Sequence, residues 1–216
     1  HCLIKYQSLL PLFHLCSSYV KKQNKNNKIF IVHRLDKDTS GVMIFAKNIA
    51  VKEELQKQFE LGLAKRYYYA LVSPKVQNVE LTIVNYLHID KFGNVFLSSS
   101  KDRSAKKAIT KYKVKEERND SSLLDIEILT GKKNQIRIGL SSISSPVVGD
   151  KKFNGKKFKR LCLHSYKLDL SSYKEAVDWL FHDNNRERPS TLTYDDLKLI
   201  GTNESKIKKY KKLLSS

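Results

Sequence analysis

Acid is what this sequence lacks most: 22 Asp and Glu stand against 41 Lys and Arg in 216 residues, a formal net charge of +19 at pH 7. That shortage points to a polyanion, nucleic acid foremost, as the partner. Cysteine is scarce as well. Three of them, without paired spacing, exclude a disulfide framework and a four-thiolate zinc site, and indicate a reducing compartment. Long apolar runs are missing too: residues 8–20 form the longest uncharged apolar stretch, which His14, Cys16, Ser17 and Ser18 interrupt and which is too short to span a bilayer. No secretory signal, internal repeat or low-complexity tract is visible, and His1 in place of an initiator Met makes the sequence read as an excised piece. What is present suits a folded domain. Hydrophobic residues make up 40% and charged ones 29%, and the length fits one mixed domain or one domain with an appendage.

The first apolar segment, residues 3–20, has helical spacing through Leu9, Leu12, Phe13, Cys16 and Val20, and the lysine-rich residues 21–28 read as an exposed connector. Short β-branched runs at 29–32 and 42–46 predict two buried strands flanking a polar turn. Asn48 suits a helix N-cap for residues 49–61, where Val51, Leu55 and Phe59 recur every four residues and Gly62 marks the stop. Strands are then predicted at 66–72, 81–89, 95–98, 108–115, 123–129 and 161–168, with a helix at 134–140. Strands in succession with a few inserted helices argue for an α+β fold on a mixed, mostly antiparallel sheet, with helices and loops flanking a cleft. The catalytic domain is expected over residues 1–183. Residues 184–216 read as a basic C-terminal extension, with a helix at 192–200 and a tail, 205–216, carrying five lysines and no acid.

Residues 32–41, VHRLDKDTSG, are the densest cluster of chemistry-bearing side chains. In local physics Asp36 and Asp38 could simply hydrogen-bond turn amides, with Gly41 supplying a positive φ. A carboxylate at the end of a buried strand beside Arg34, with Thr39-Ser40-Gly41 behind it, is also open to a cleft, although local physics alone favours the turn. His33 and His164 have no Cys or carboxylate at ligand spacing, so no metal is expected. Cys2, Cys16 and Cys162 sit in apolar surroundings and read as core packing.

The string His33-Arg34-Leu35-Asp36, with Thr39-Ser40-Gly41 and Ala46-Lys47, resembles the signature of the RluA family of pseudouridine synthases. Three further segments fall in that family's order: RYYYALV at 66–72, GKKNQIRIGL at 131–140, and residues 147–155 with Leu163-His164. The resemblance covers residues 1 to about 170, without the family's opening strand. It implies a pseudouridine synthase fold, no cofactor, and an enzyme isomerising uridine in structured RNA, ribosomal or transfer. Asp36 would be the catalytic carboxylate, Tyr68 the ring and hydroxyl at the flipped base, and Arg137 an arginine paired with Asp36. Arg34 would fill the space left by the base. His33, Thr39, Ile136 and Leu163 would line the site. Apart from the resemblance, the basic cluster at 101–107 between two predicted strands, with Lys106 and Lys107, reads as an RNA-facing loop. The sequence departs from the family at Asn134 and Gly139, where the family carries histidines. A membrane is not expected as a partner, and a cytoplasmic monomer is, or an organellar or nuclear one in a eukaryotic source.

Simpler roles stand beside these. Tyr67 and Tyr69 could face the cleft with Tyr68 in the core, Ile136 and Leu163 could be plain core residues, Arg34 and Arg137 could bind phosphates, and single lysines could belong to a solvated face. A chain that keeps the fold but only binds RNA is the alternative function. A basic ribosomal or DNA-architectural protein would explain the charge but not the ordered motifs.

Overall fold

The computed structural model describes residues 9–170. Cys2, the start of the expected first helix, residues 171–183 and the whole expected extension lie outside the described residues. α1 (Leu9–Gln23) carries Phe13 against Phe45, ring centres 6.3 Å apart. It runs through Lys21 and Lys22, so the expected connector is shorter than residues 21–28. The polar turn is also built differently from expectation. β1 (Phe30–Ile31) pairs antiparallel with β3 (Phe45–Ala46) as a separate two-stranded sheet, and between them Ser40–Gly41 forms β2. A two-residue strand leaves no periodicity to read, which is why β2 is not expected from sequence.

α2 (Ile49–Glu60) starts where its cap dictates: Asn48 Oδ1 accepts the Val51 N–H at 2.8 Å, and Gly62, at φ 68°, turns the chain out. The seven-stranded sheet that follows is ordered β2-β9-β4-β8-β7-β5-β6. Its members are β4 (Lys65–Val72), β5 (Glu80–Ile89), β6 (Val95–Ser98), β7 (Lys106–Arg118), β8 (Ser121–Ile128) and β9 (Leu163–Asp169), with α3 (Gln135–Ser142) between β8 and β9. All pairings are antiparallel except β2 with β9. The α+β expectation holds.

Alternation places the core. Tyr68, Ala70 and Val72 of β4 and Leu124, Ile126 and Ile128 of β8 share one buried face, against which Ile136 and Leu140 of α3, Val147 and Leu163 pack. Gly139, where the family has histidine, faces Ile83 and Asn85: a Cβ there would lie 3.3 Å from Asn85 Oδ1. A second cluster, with Val32, Ala46, Leu55 and Leu168, seats α2 and the small sheet beside β9. Both clusters flank the loop of residues 33–39.

Candidate active site

That loop is held at three points. The Thr39 N–H donates to the Asp36 carbonyl at 3.1 Å, closing a turn in which Asp38 takes φ 70°. Ser40 and Gly41 then dock on His164 and Ser165 of β9. Gly41 sits at φ 133° so close to β9 that a Cβ would collide with the Ser165 carbonyl, so no other residue fits. At the loop's start the His33 ring stacks on Phe59, 4.9 Å between centres, and its Nε2 accepts the Ile44 N–H at 3.2 Å. Burial and the nearby Arg66 cation lower the His33 pKa to about 4, so it is neutral and braces the loop.

Asp36 is half-buried, and its Oδ2 accepts the main-chain N–H of Asn134 at 2.9 Å. Burial pushes the carboxyl above its ordinary value. The Asn134 amide and the cations Arg137, Arg34 and Lys133 pull it back. The Asn134 bond is long-range, joining the first loop to the residue before α3.

Arg137 corrects an expectation. Its fork does not pair with Asp36: Nε and Nη2 donate to Asp150 at 2.6 and 2.7 Å, and Nη1 donates to Asn134 Oδ1 at 3.1 Å. Asp150 is fully buried and also accepts the Lys152 and Phe153 N–H groups, while the Phe153 ring lies 5.1 Å from the guanidinium carbon. The nearer carboxylate with the better-satisfied oxygens takes the bidentate pair. Arg137 therefore acts on Asp36 through its field and through Asn134. The pair is self-consistent, with the Asp150 pKa lowered and that of Arg137 raised despite burial.

Tyr68 is buried on the inner face of β4, while Tyr67 and Tyr69 point outward. Tyr67 and Tyr69 both pack on Tyr166, Tyr69 in a stack with centres 3.9 Å apart. The register slips here, Tyr67 opposing Lys167 and Tyr68 opposing Ser165, so Tyr166 is the extra residue of a bulge. Ser165 thus joins β2 on one side and Tyr68 on the other. Burial raises the Tyr68 pKa, as does the Asp36 charge, while Arg66 and a hydrogen bond with the Ser165 side chain lower it. Tyr68, Asp36 and Arg137 consequently share one electrostatic neighbourhood.

The other expected residues divide. Ile136 and Leu163 are buried beside Tyr68 in the inner core, with Leu35 packed against the same cluster. Arg34 is exposed at the site's edge. Thr39 is half-buried, and its Oγ1 has no hydrogen bond. Lys106 and Lys107 are exposed but open β7, opposite Leu87 and Tyr86, instead of sitting in a loop. Among the described residues no group of three His, Cys, Asp or Glu side chains could hold a metal. No helix among them is long and apolar enough to cross a membrane.

Sequence reasoning missed three participants. Asn134 works through its main-chain N–H, which no residue pattern announces, although its φ of 55° is one that asparagine accepts more readily than most. Asp150 stands inside a motif segment, with nothing in the sequence to single it out as the partner of Arg137. Arg66, on the Tyr68 face of β4, rests over Phe59 at 5.6 Å with its Nε buried and unbonded.

Residues 13–142 match the family model described as RNA pseudouridylate synthase. The chain is 34% identical over 169 residues to the ribosomal large subunit pseudouridine synthase D of Borreliella burgdorferi, covering 76% of this chain and 52% of that protein. It is 30% identical to the dual-specificity RNA pseudouridine synthase RluA of Vibrio parahaemolyticus, covering 77% and 69%. The chain thus spans about half the length of the first of these relatives. Among solved structures, the human RNA pseudouridylate synthase domain containing 4 superposes with a TM-score of 0.66 at 22% identity over 76% of each chain, a likeness of fold. With the family match over residues 13–142 spanning three of the four motif segments, and the fold in agreement, the chain belongs to the RNA pseudouridylate synthase family.

Proposed function

We propose that this chain is the catalytic domain of an RNA pseudouridine synthase, turning chosen uridines of structured RNA, ribosomal or transfer, into pseudouridine. The observation that supports it is one half-buried carboxylate, Asp36, inside a ring of cations and next to a buried tyrosine. In the reaction the N1–C1′ bond breaks, a C5–C1′ bond forms, the C5 proton leaves and N1 gains one. Atoms and electrons balance without redox partner or cofactor.

Asp36 must be deprotonated to act, whether it attacks the nucleoside or takes a proton from it. The uridine has to leave its stack, at a cost of roughly a few kcal/mol that contacts in the site offset. In this reading Arg34 enters the space the base leaves, and Ile136 and Leu163 form the apolar floor. Tyr68 offers its ring to the uracil and its hydroxyl to the proton at C5. Arg137 keeps positive charge near Asp36 without quenching it. His33 and Thr39 support the loop, and Lys106 and Lys107 meet phosphates farther along the RNA. In the same reading the catalytic domain takes residues 1–183 and a basic extension residues 184–216, in a protein working in the cytoplasm or, in a eukaryote, an organelle or nucleus.

The test is tritium release from RNA labelled at uridine C5. Turnover by the chain that disappears in Asp36→Asn supports the reading, and turnover that survives the substitution overturns it. RNA binding by the unsubstituted chain without any release would favour the binding-module alternative, to which the Asp150-committed Arg137 lends its one argument.

A further inference from the structure

Among the described residues, Asn134 alone is hydrogen-bonded both to the proposed catalytic carboxylate and to the arginine beside it, and the two bonds use different parts of it. Its N–H reaches Asp36 Oδ2 at 2.9 Å and its Oδ1 receives Arg137 Nη1 at 3.1 Å. Arg137 is fixed behind it on Asp150 at 2.6 and 2.7 Å. We propose that Asn134 is the positioning residue of this site, a joint through which the Asp150-anchored Arg137 sets the place and charge state of Asp36.

The surroundings immobilise the joint. Asn134 is buried and lies in the left-handed region, φ 55° and ψ 19°, where its N–H points away from α3 toward Asp36. Its carbonyl accepts the Ile138 N–H at 2.9 Å, the first bond of that helix. The next residue, Gln135, pins the approach. Gln135 Oε1 accepts from Thr130 Oγ1 at 2.7 Å and the Lys132 N–H at 3.0 Å, and its Nε2 donates to the Ile109 carbonyl at 2.9 Å and to Thr110 Oγ1 at 3.0 Å. With both sides of Asn134 tied to buried strands and helix, the remaining freedom at this point is the Asn134 side chain, and Arg137 holds that. A carboxylate reached only by the arginine's field would drift; one reached through this amide is aimed. The charged groups facing Asp36 are Arg34 from its own loop and Lys133 and Arg137 from either side of Asn134, and the neutral, titratable Tyr68 faces it from β4.

Asn134→Gly isolates the joint. Glycine accepts the left-handed backbone, can still form both main-chain bonds and deletes the acceptor for Arg137, so nothing but the backbone now holds the N–H in line with Asp36. The inference rests on the pseudouridine synthase reading for its kinetic arm but not for its second arm. In that second arm, the Asp36 carboxyl carbon is titrated by NMR in the intact, otherwise unsubstituted chain and in Asn134→Gly. The expected result is a midpoint about one pH unit higher in the variant, because the amide bond loosens and burial is less well opposed. In the kinetic arm the acid limb of kcat moves up by the same amount and KM stays within about twofold. The variant's rate returns toward that of the unsubstituted chain as pH rises, with roughly tenfold recovered across that limb. A purely structural defect would lower the rate equally at every pH. Coincident Asp36 midpoints, or a pH-independent loss of kcat, overturn the proposal. An unsubstituted chain that never isomerises uridine would overturn the function reading, while the titration would still decide whether Asn134 governs Asp36.

Discussion

Three consecutive tyrosines on β4 meet two unlike environments. Tyr68 looks inward, 8% exposed, onto Ile126, Leu163 and the neighbourhood of Asp36. Tyr67 and Tyr69 look outward onto Tyr166, with Lys115 Nζ 4.3 Å over the Tyr69 ring and Lys167 Nζ 5.1 Å over that of Tyr67. The outer face is a ladder of opposite charges, Lys111 across from Glu127 and Lys113 across from Asp125, wet and mutually neutralising. The inner face holds few charges, and its buried pair, Arg137 with Asp150, is bidentate. A charge buried without compensation is costly, so the inner face had to specify partners, whereas water can replace any partner on the outer one. Side-chain chemistry is the same on both sides; the difference in solvent decides which tyrosine can act.

The sharpest way to break this comparison is at Asp36. Asp36→Asn should lower turnover by on the order of a thousandfold or more, measured by tritium release, while the chain stays folded. Because the folded pKa of Asp36 is raised, the folded state holds its proton more tightly than the unfolded chain does. Ionising it therefore costs stability as pH rises through the window between its ordinary and its raised value. At pH 7 the asparagine variant should melt no lower than the parent. A lower melting temperature would mean that the ionised carboxylate is a structural group and not a strained functional one.

Next in size is the inner ion pair. Asp150→Ala strands the Arg137 guanidinium, 10% exposed in its side chain, together with two main-chain donors, and should cost about 3–5 kcal/mol in urea denaturation. Its pH dependence has the opposite sign to that of Asp36. The folded pKa of Asp150 is lowered, so its contribution is fully present above the ordinary carboxylate value and is lost as pH falls through the folded value below it. A parent chain whose acid destabilisation is unchanged in the variant would refute that assignment.

The tyrosines themselves come third. Tyr68→Phe should lower kcat by on the order of a hundredfold through loss of the hydroxyl, whereas Tyr69→Phe should leave it within about twofold. Equal effects would erase the distinction between the faces.

Much of this arrangement is legible in the sequence, for physical reasons. Alternation along residues 66–72 separates Tyr68 from its neighbours without reference to any partner, and Asn48 with Gly62 brackets α2 because capping is local chemistry. The motif segments reach Asp36, Tyr68 and Arg137. Partners are not legible. Arg137 chooses Asp150 over Asp36 because a turn thirteen residues away buries that carboxylate against it, a fact of tertiary packing. The Asn134 contact with Asp36 joins residues 98 apart through a main-chain donor that every residue but proline carries, so no side-chain pattern could single it out. β2 escapes notice because two residues have no period.

The smallest effect tests whether distance or burial sets the worth of a contact. Lys156 Nζ lies 2.6 Å from Asp120 Oδ2, the same separation as Arg137 Nε from Asp150 Oδ2. Both side chains of the outer pair are 61% exposed. Water and salt screen such a pair, and freezing two flexible side chains offsets the attraction that remains. Lys156→Ala should therefore leave the melting temperature within about 1 °C of the parent at physiological salt. If it fell as far as in Asp150→Ala, short geometry alone would explain both pairs, and the contrast between the inner and outer faces would lose its energetic basis. If it does not move, two ion pairs of equal length differ in worth because one of them left water, and Asp36, half out of water itself, belongs with the buried kind.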